Sequence, residues 1–265
     1  MTRTPVAALW QLPPDDLSER LAAAVDGAVD RSDGPVAVYF RSDDVAVPGK
    51  RFAAMVGLFV RYRVPLGLAV VPAWLTEARW QVLKQLERRA PGLWCWHQHG
   101  WRHANHARRG KKSEFGPARP SPAVAADLVR GRQRLTDLMG GRFCPVFTPP
   151  WNRCSRDTLD HLKSLGYDAV SRSGGSSPPA PEGLQELPVH IDLHTRKRAD
   201  AVEDWQRFFE EIEKGLACGS CGIMLHHQRM NGAALGFLDL FLRQLKRQRR
   251  IRPVHFKELI GRCHG

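Results

Sequence analysis

The sequence predicts an α/β fold in one domain over residues 1–265: a parallel sheet joined by crossover helices, of the size of a single (β/α) barrel. Three observations point there. Short apolar runs alternate with amphipathic stretches along the whole chain. A length of 265 residues suits one (β/α) barrel with a large core. Polar clusters sit just after the apolar runs, at the sheet rim where α/β folds build their sites.

Taken in order, residues 15–29 read as an amphipathic helix, part of a 1–34 extension that packs outside the barrel. Strand 36–41 then precedes a helix at 50–63, and strand 65–71 a helix at 76–89. Strand 93–97 leads through a loop to a helix at 122–139, and strand 144–148 to a helix at 155–165. Strands near 167–171 and 187–193 follow, then a helix at 201–216, strand 221–226, a helix at 234–248 and a last strand at 252–256. Two stretches rich in turn formers, 107–117 and 173–181, read as long loops within the domain. The first follows a histidine cluster, so it is the better candidate for a substrate lid, with Glu114 and Phe115 either anchoring it or touching substrate.

No long apolar segment follows a basic start, so neither a secretory signal nor a membrane span is expected, and cytoplasmic residence is the default. Six cysteines are too scattered for a disulfide framework, and Cys218 and Cys221 form a lone pair without a second, matching one. The formal net charge of +13 suits a polyanion, an anionic lipid or an acidic substrate, with 243–252 the densest basic run. Nothing resembles a recognition helix or an RNA-binding aromatic motif, so no specific nucleic-acid partner is expected. Oligomeric state is not legible.

Four strand ends carry the chemistry. The first delivers Asp43 and Asp44, the second His97, His99 and His103, another Trp151 and Arg153 after two prolines, and the last His226 and His227. Two imidazoles and a carboxylate make a three-ligand metal site with an open position, and a second carboxylate beside it can accept a proton from water. Asp43 and Asp44 can divide those roles only if the strand ends or bends there, because neighbours on a regular strand face opposite sides. Val47-Pro48-Gly49 is the expected break. His99 and His103, four apart, share one face if they lie on a helical turn.

These motifs resemble the polysaccharide deacetylases, the NodB-homology or carbohydrate esterase family 4 group. Arg41-Ser-Asp-Asp-Val45 matches the paired-aspartate motif, His99-Gly-Trp-Arg-His103 the His-x-x-x-His motif, Thr148-Pro-Pro-Trp151 the proline-aromatic motif and Leu225-His226 the Leu-His motif. The resemblance implies a distorted (β/α)7-8 barrel and a hydrolase that removes acetyl groups from an N-acetylated carbohydrate or related small amide. It implies Asp43 as general base, Asp44, His99 and His103 as ligands of a divalent ion, and His226 as general acid. Zinc leads, with cobalt, nickel or iron also suited to two histidines and an aspartate. Thr148 stands where the family has an arginine that steadies the base, a role Arg153 is placed to take over. Asp192 is a candidate to orient His226 or Arg153, and His227 is the rival acid. Trp101 and Trp151 either stack on a sugar or fill the barrel opening. Two alternatives stand beside the hydrolase: a family member with lost or altered activity, and a basic protein that binds nucleic acid or another polyanion.

Overall fold

A computed structural model describes residues 6–261. Its elements in chain order are α1 (Leu17–Asp30), β1 (Val36–Val45), α2 (Lys50–Tyr62), β2 (Leu66–Val70), α3 (Glu77–Leu83), α4 (Gln85–Arg89), β3 (Trp94–His99), α5 (Ser121–Met139), β4 (Phe143–Thr148) and α6 (Arg156–Ser164). They continue as β5 (Ala169–Ser173), β6 (Gln185–Val189), β7 (Ile191–Asp192), α7 (Ala201–Ala217), β8 (Ser220–Leu225), α8 (Gly232–Arg247), β9 (Ile251–Pro253) and α9 (Phe256–Ile260). The strand order is β6-β5-β4-β3-β2-β1-β8-β7, with β9 beside β1.

The chain forms two compact units. Among the described residues, the first comprises 6–42, 49–66 and 190–255, the second 43–48, 67–189 and 256–261. In the first unit β8 pairs in parallel with both β1 and β7, and β9 pairs in parallel with β1. Its core is aromatic: Trp10, Phe208 and Phe237 pack mutually, with Trp10 and Phe237 centroids 5.2 Å apart. The N-terminal segment belongs to this core. Trp10 Nε1 donates to the Leu193 carbonyl at 2.9 Å, and Trp205 Nε1 donates to the Leu9 and Leu12 carbonyls. Residues 1–5 of the expected 1–34 extension lie outside the described residues.

In the second unit β3, β4, β5 and β6 pair in parallel succession. Phe115, Phe147, Leu128, Leu159 and Tyr167 fill its core between the sheet and the helices α5 and α6. Ser155 caps α6, its hydroxyl accepting the Thr158 N–H at 3.3 Å.

The observed elements depart from expectation in four places. Strand β1 runs on through both aspartates to Val45, because its bend is at Asp44 itself, with φ 61°, and not at Val47–Gly49. The helix expected at 76–89 is two, α3 and α4, meeting at Lys84. The strand expected at 187–193 changes partner midway: β6 bonds to β5, and the next residue, His190, donates its N–H to Gly222 beside β7. The last strand stops at Pro253, after which Val254 N–H caps the ladder on Val38 and α9 begins.

One helical glycine is required by packing. A Cβ on Gly131 of α5 would lie 2.3 Å from Gln98 Nε2, and that amide already donates to the Gly100 and Leu128 carbonyls. Gly131→Ala in a helix ordinarily gains about 0.5–1 kcal/mol. Here overpacking against Gln98 should reverse the sign, to a loss of about 1–3 kcal/mol in chemical denaturation. A stabilised variant would show that Gln98 moves freely.

Candidate metal centre

The centre is assembled in the second unit from the end of β1, the end of β3 and the loop after β3. His99 is the last residue of β3 and is 1 % exposed. The parallel register sets His99 opposite Thr148 on β4, and His99 Nδ1 lies 3.0 Å from the Thr148 carbonyl oxygen. A carbonyl only accepts, so Nδ1 carries the proton and Nε2 of the neutral ring turns its lone pair the other way.

The residues after His99 do not form the helical turn that a four-residue spacing suggested. Gly100 (φ 57°) and His103 (φ 58°) are both left-handed and fold the segment into a loop. Glu114 holds it. The carboxylate, 1 % exposed, accepts the backbone N–H groups of Trp101, Arg102 and His103 at 3.3, 2.7 and 3.1 Å. Burial raises the Glu114 pKa, and the Arg102 and Trp101 N–H groups pull it partly back. Gly100 admits no side chain, since a Cβ would stand 2.2 Å from Glu114 Oε2 and 2.5 Å from Pro150 Cγ. Glu114 is therefore an anchor, buried in the structure it shapes.

His103 Nε2 and His99 Nε2 approach Asp44 Oδ1 at 3.1 and 3.3 Å, and the ligating atoms of the three residues all lie within 4.8 Å of one another. A cation bonded to two such atoms at about 2.1 Å, in tetrahedral or octahedral geometry, holds them about 3.0–3.4 Å apart. The donor set and its spacing fit a divalent ion. Burial lowers the His99 pKa, but the Asp44 carboxylate, the Asp43 charge and the Thr148 carbonyl outweigh it and the net direction is up. Burial and then the His99 charge push His103 down, towards the neutral, electron-donating form. His103 also lies between two indoles, with ring centroids 4.4 Å from Trp151 and 5.7 Å from Trp74. Trp74 and Glu114 complete the surroundings of the triad. For Trp74 the available signal was an aromatic just beyond a strand end.

The remaining candidates fall as follows. Asp43 is 3 % exposed, and its charge acts on both histidines. Trp151 (φ 57°) is left-handed and half-buried, its ring on His103. Trp101 is buried in the Phe115–Phe147 core, with the Arg102 and Arg130 guanidinium groups 5.9 and 5.6 Å from its ring, so it fills the core. Thr148 keeps the His99 proton through its backbone carbonyl, while its hydroxyl meets His97 Nε2 at 3.0 Å. Arg153 is exposed, and its guanidinium donates to the Lys112 carbonyl at 3.0 Å, so its partner is the 107–117 loop.

The first unit holds the others. The Asp192 carboxylate accepts the His194 and Thr195 N–H groups at 3.0 and 2.9 Å and the Thr195 hydroxyl, and so closes a turn. His194 Nδ1 in turn accepts the His226 backbone N–H at 3.2 Å. His226 is half-buried, and its Nδ1 has no hydrogen-bond partner among the described residues. His227 is buried edge-on against Phe52, ring centroids 5.2 Å apart.

The sequence profile of the family described as "Polysaccharide deacetylase" matches residues 30–170, more than half of the chain. The chain belongs to this family. Comparison with curated proteins finds no match. Among solved structures, a protein from Mycobacterium smegmatis named as a polysaccharide deacetylase superposes with a TM-score of 0.64 at 15% identity, over 88% of this chain and 91% of that one. An allantoinase, PuuE, gives 0.62 at 12%, over 87% and 91%. A family 4 acetyl xylan esterase from Clostridium thermocellum, solved with cobalt, gives 0.55 at 13%, over 85% and 90%. At such identities the likeness establishes the fold, and it is the (β/α)7-8 barrel fold of the polysaccharide deacetylases. The paired-aspartate, His-x-x-x-His and proline-aromatic motifs of this chain all lie within the matched span.

Because three N–H groups converge on one carboxylate, Glu114→Gln replaces half of the acceptor with an N–H₂ group that opposes them. Relative to wild type, metal affinity should fall roughly 10–100-fold, as for other partners that orient a ligand. Competition against a chromophoric chelator measures it. Unchanged affinity would show that His103 is placed without Glu114.

Proposed function

We propose that the protein is a metal-dependent hydrolase that removes the acetyl group from an N-acetylated carbohydrate or a related small amide. The observation that carries this reading is the convergence of Asp44, His99 and His103, with a buried second carboxylate, Asp43, next to Asp44 in the chain. Asp44, His99 and His103 would hold a divalent ion, zinc first by its donor set, which when bound would polarise the acyl carbonyl and acidify water.

This chain's residues do the rest. Asp43, held beside the triad by the left-handed turn at Asp44, takes the proton of the attacking water. His99 keeps its Nδ1 proton on Thr148, so its Nε2 lone pair stays directed at the site. Trp151 offers a ring against which a pyranose face can rest. His226 is the proposed acid that protonates the leaving amine: its imidazole is half-buried, whereas the His227 ring is buried edge-on against Phe52. No helix among the described residues is long and apolar enough to cross a membrane.

Metal and turnover measurements on point variants separate these roles. His99→Ala should lose stoichiometric metal while remaining folded, since the ligand serves the site and the core of Phe115, Phe147 and Leu128 is intact. Asp43→Asn should keep the metal and lose roughly 10²–10⁴ in turnover, because an amide of the same shape accepts no proton. Equal metal loss in the two variants would contradict the assignment.

The acid is tested by leaving group. An amine leaves poorly until protonated, so His226→Ala should cut amide hydrolysis by roughly 10²–10⁴ and affect an acetyl ester far less. His227→Ala should do little to either. A dominant effect at His227 would move the acid by one residue.

A further inference from the structure

We propose that the loop after His103 forms an oxyanion site that binds a phosphate or diphosphate group carried by the substrate; the assignment to substrate rests on the hydrolase reading above.

A concavity of 840 Å³ is lined by residues from the 106–118 segment, Glu114 not among them, together with Arg153 and Cys154. Its charge is of one sign. His106, Arg108, Arg109, Lys111 and Arg153 line it, and no aspartate or glutamate does. The side chains of Arg108, Arg109 and Lys111 have no hydrogen-bond or ion-pair partner among the described residues. Some arginines elsewhere are matched by carboxylates: Arg119 meets Asp127 at 2.6 Å, and Arg196 meets Asp204 and Glu211 at 2.9 and 2.7 Å.

The backbone beneath these cations is tied down. Asn105 Oδ1 accepts the Ala107 and Ser113 N–H groups at 3.1 and 2.9 Å, and His106 N–H donates to the Ser113 carbonyl at 2.9 Å. The Ser113 hydroxyl donates to the Arg153 carbonyl, and the Arg153 guanidinium returns a bond to Lys112. The loop therefore closes on itself and onto the chain after Trp151, leaving the cationic heads over the hollow.

Four permanent positive charges around one hollow repel one another, and a concave wall concentrates their potential. A polyvalent oxyanion relieves that repulsion, and guanidinium forks match the spacing of phosphate oxygens. The volume falls within the range of sites for small organic ligands, which leaves room for the group that carries the phosphate. His106 is three residues past His103, and Arg153 two past Trp151, which bounds their Cα separations at about 11 Å and about 7 Å. That short reach in the chain is what lets one small molecule carry both an anion here and an acyl group at the triad.

The test is a calorimetric titration of the full chain with inorganic pyrophosphate at fixed ionic strength. One site per chain is expected, weakened roughly ten-fold or more in Arg108→Gln/Arg109→Gln. It should be retained in Lys246→Gln/Arg247→Gln, which removes as much charge from the end of α8, and in His99→Ala, which removes a proposed metal ligand. Thermal melts check that each variant folds. No saturable binding, or equal weakening in both charge variants, would overturn the site; loss in His99→Ala alone would move the anion to the metal centre. Binding of a single-stranded oligonucleotide that depends on Arg108 and Arg109, with no pyrophosphate binding, would replace it with a polyanion surface. In the kinetic arm the wild type should prefer a phosphorylated N-acetylhexosamine over the plain sugar, and the pocket variant should lose that preference. Equal kcat/KM for both sugars would overturn the substrate assignment. Pyrophosphate binding that follows the pocket arginines in a protein that hydrolyses neither sugar would leave the oxyanion site standing and reject the hydrolase reading.

Discussion

Three electron-pair donors directed at one point, with no proton shared among the neutral forms, are the constraint around which the second unit is arranged. A carboxylate oxygen and an imidazole lone pair 3.3 Å apart repel unless a proton or a metal cation lies between them. The direction of the lone pair comes from the sheet. The β3–β4 register puts the Thr148 carbonyl under His99 Nδ1, which leaves only Nε2 for the site. A side chain other than threonine at 148 would supply the same carbonyl, so the departure from the family's arginine does not touch this bond.

The other two donors depend on backbone that is unfavourable locally. Asp44, His103, Trp151 and Asn152 all have φ between 57° and 61°. Left-handed geometry costs non-glycine residues of the order of 1–3 kcal/mol each, and such residues gather at functional sites where the surroundings over-determine them. Here the over-determination is visible: the Glu114 carboxylate grips three N–H groups of the His103 loop, and the indoles of Trp74 and Trp151 flank the His103 ring. Removing the bend at Asp44 would put its carboxylate and that of Asp43 on opposite faces of a regular strand.

The basic character of the chain divides in a similar way. Some of its cations are matched by carboxylates, as Arg172 is by Glu186 and Arg196 by two acids. What sets Arg108, Arg109 and Lys111 apart is that they line one concavity together with Arg153. Net charge alone makes no distinction between a solvated helix face and such a hollow, because it carries no geometry.

By itself the sequence determined most of the order of elements and the parallel α/β class, and it pointed to strand ends as the place of the candidate site, because strand ends in this class meet at one rim and apolar periodicity marks those ends. The resemblance to the polysaccharide deacetylases singled out Asp44, His99 and His103 as one group, and their ligating atoms lie within 4.8 Å of one another. Only the tertiary structure decided where β1 bends, that residues 99–103 form a loop and not a helical turn, that Trp101 is core, and that Glu114 is an anchor. Those outcomes rest on φ angles and on contacts between residues up to tens of positions apart, such as Gly100 against Pro150. Local propensity has no term for them. The same holds for His226 and His227, adjacent in the sequence: packing against Phe52, which no sequence pattern encodes, decides which of the two is enclosed.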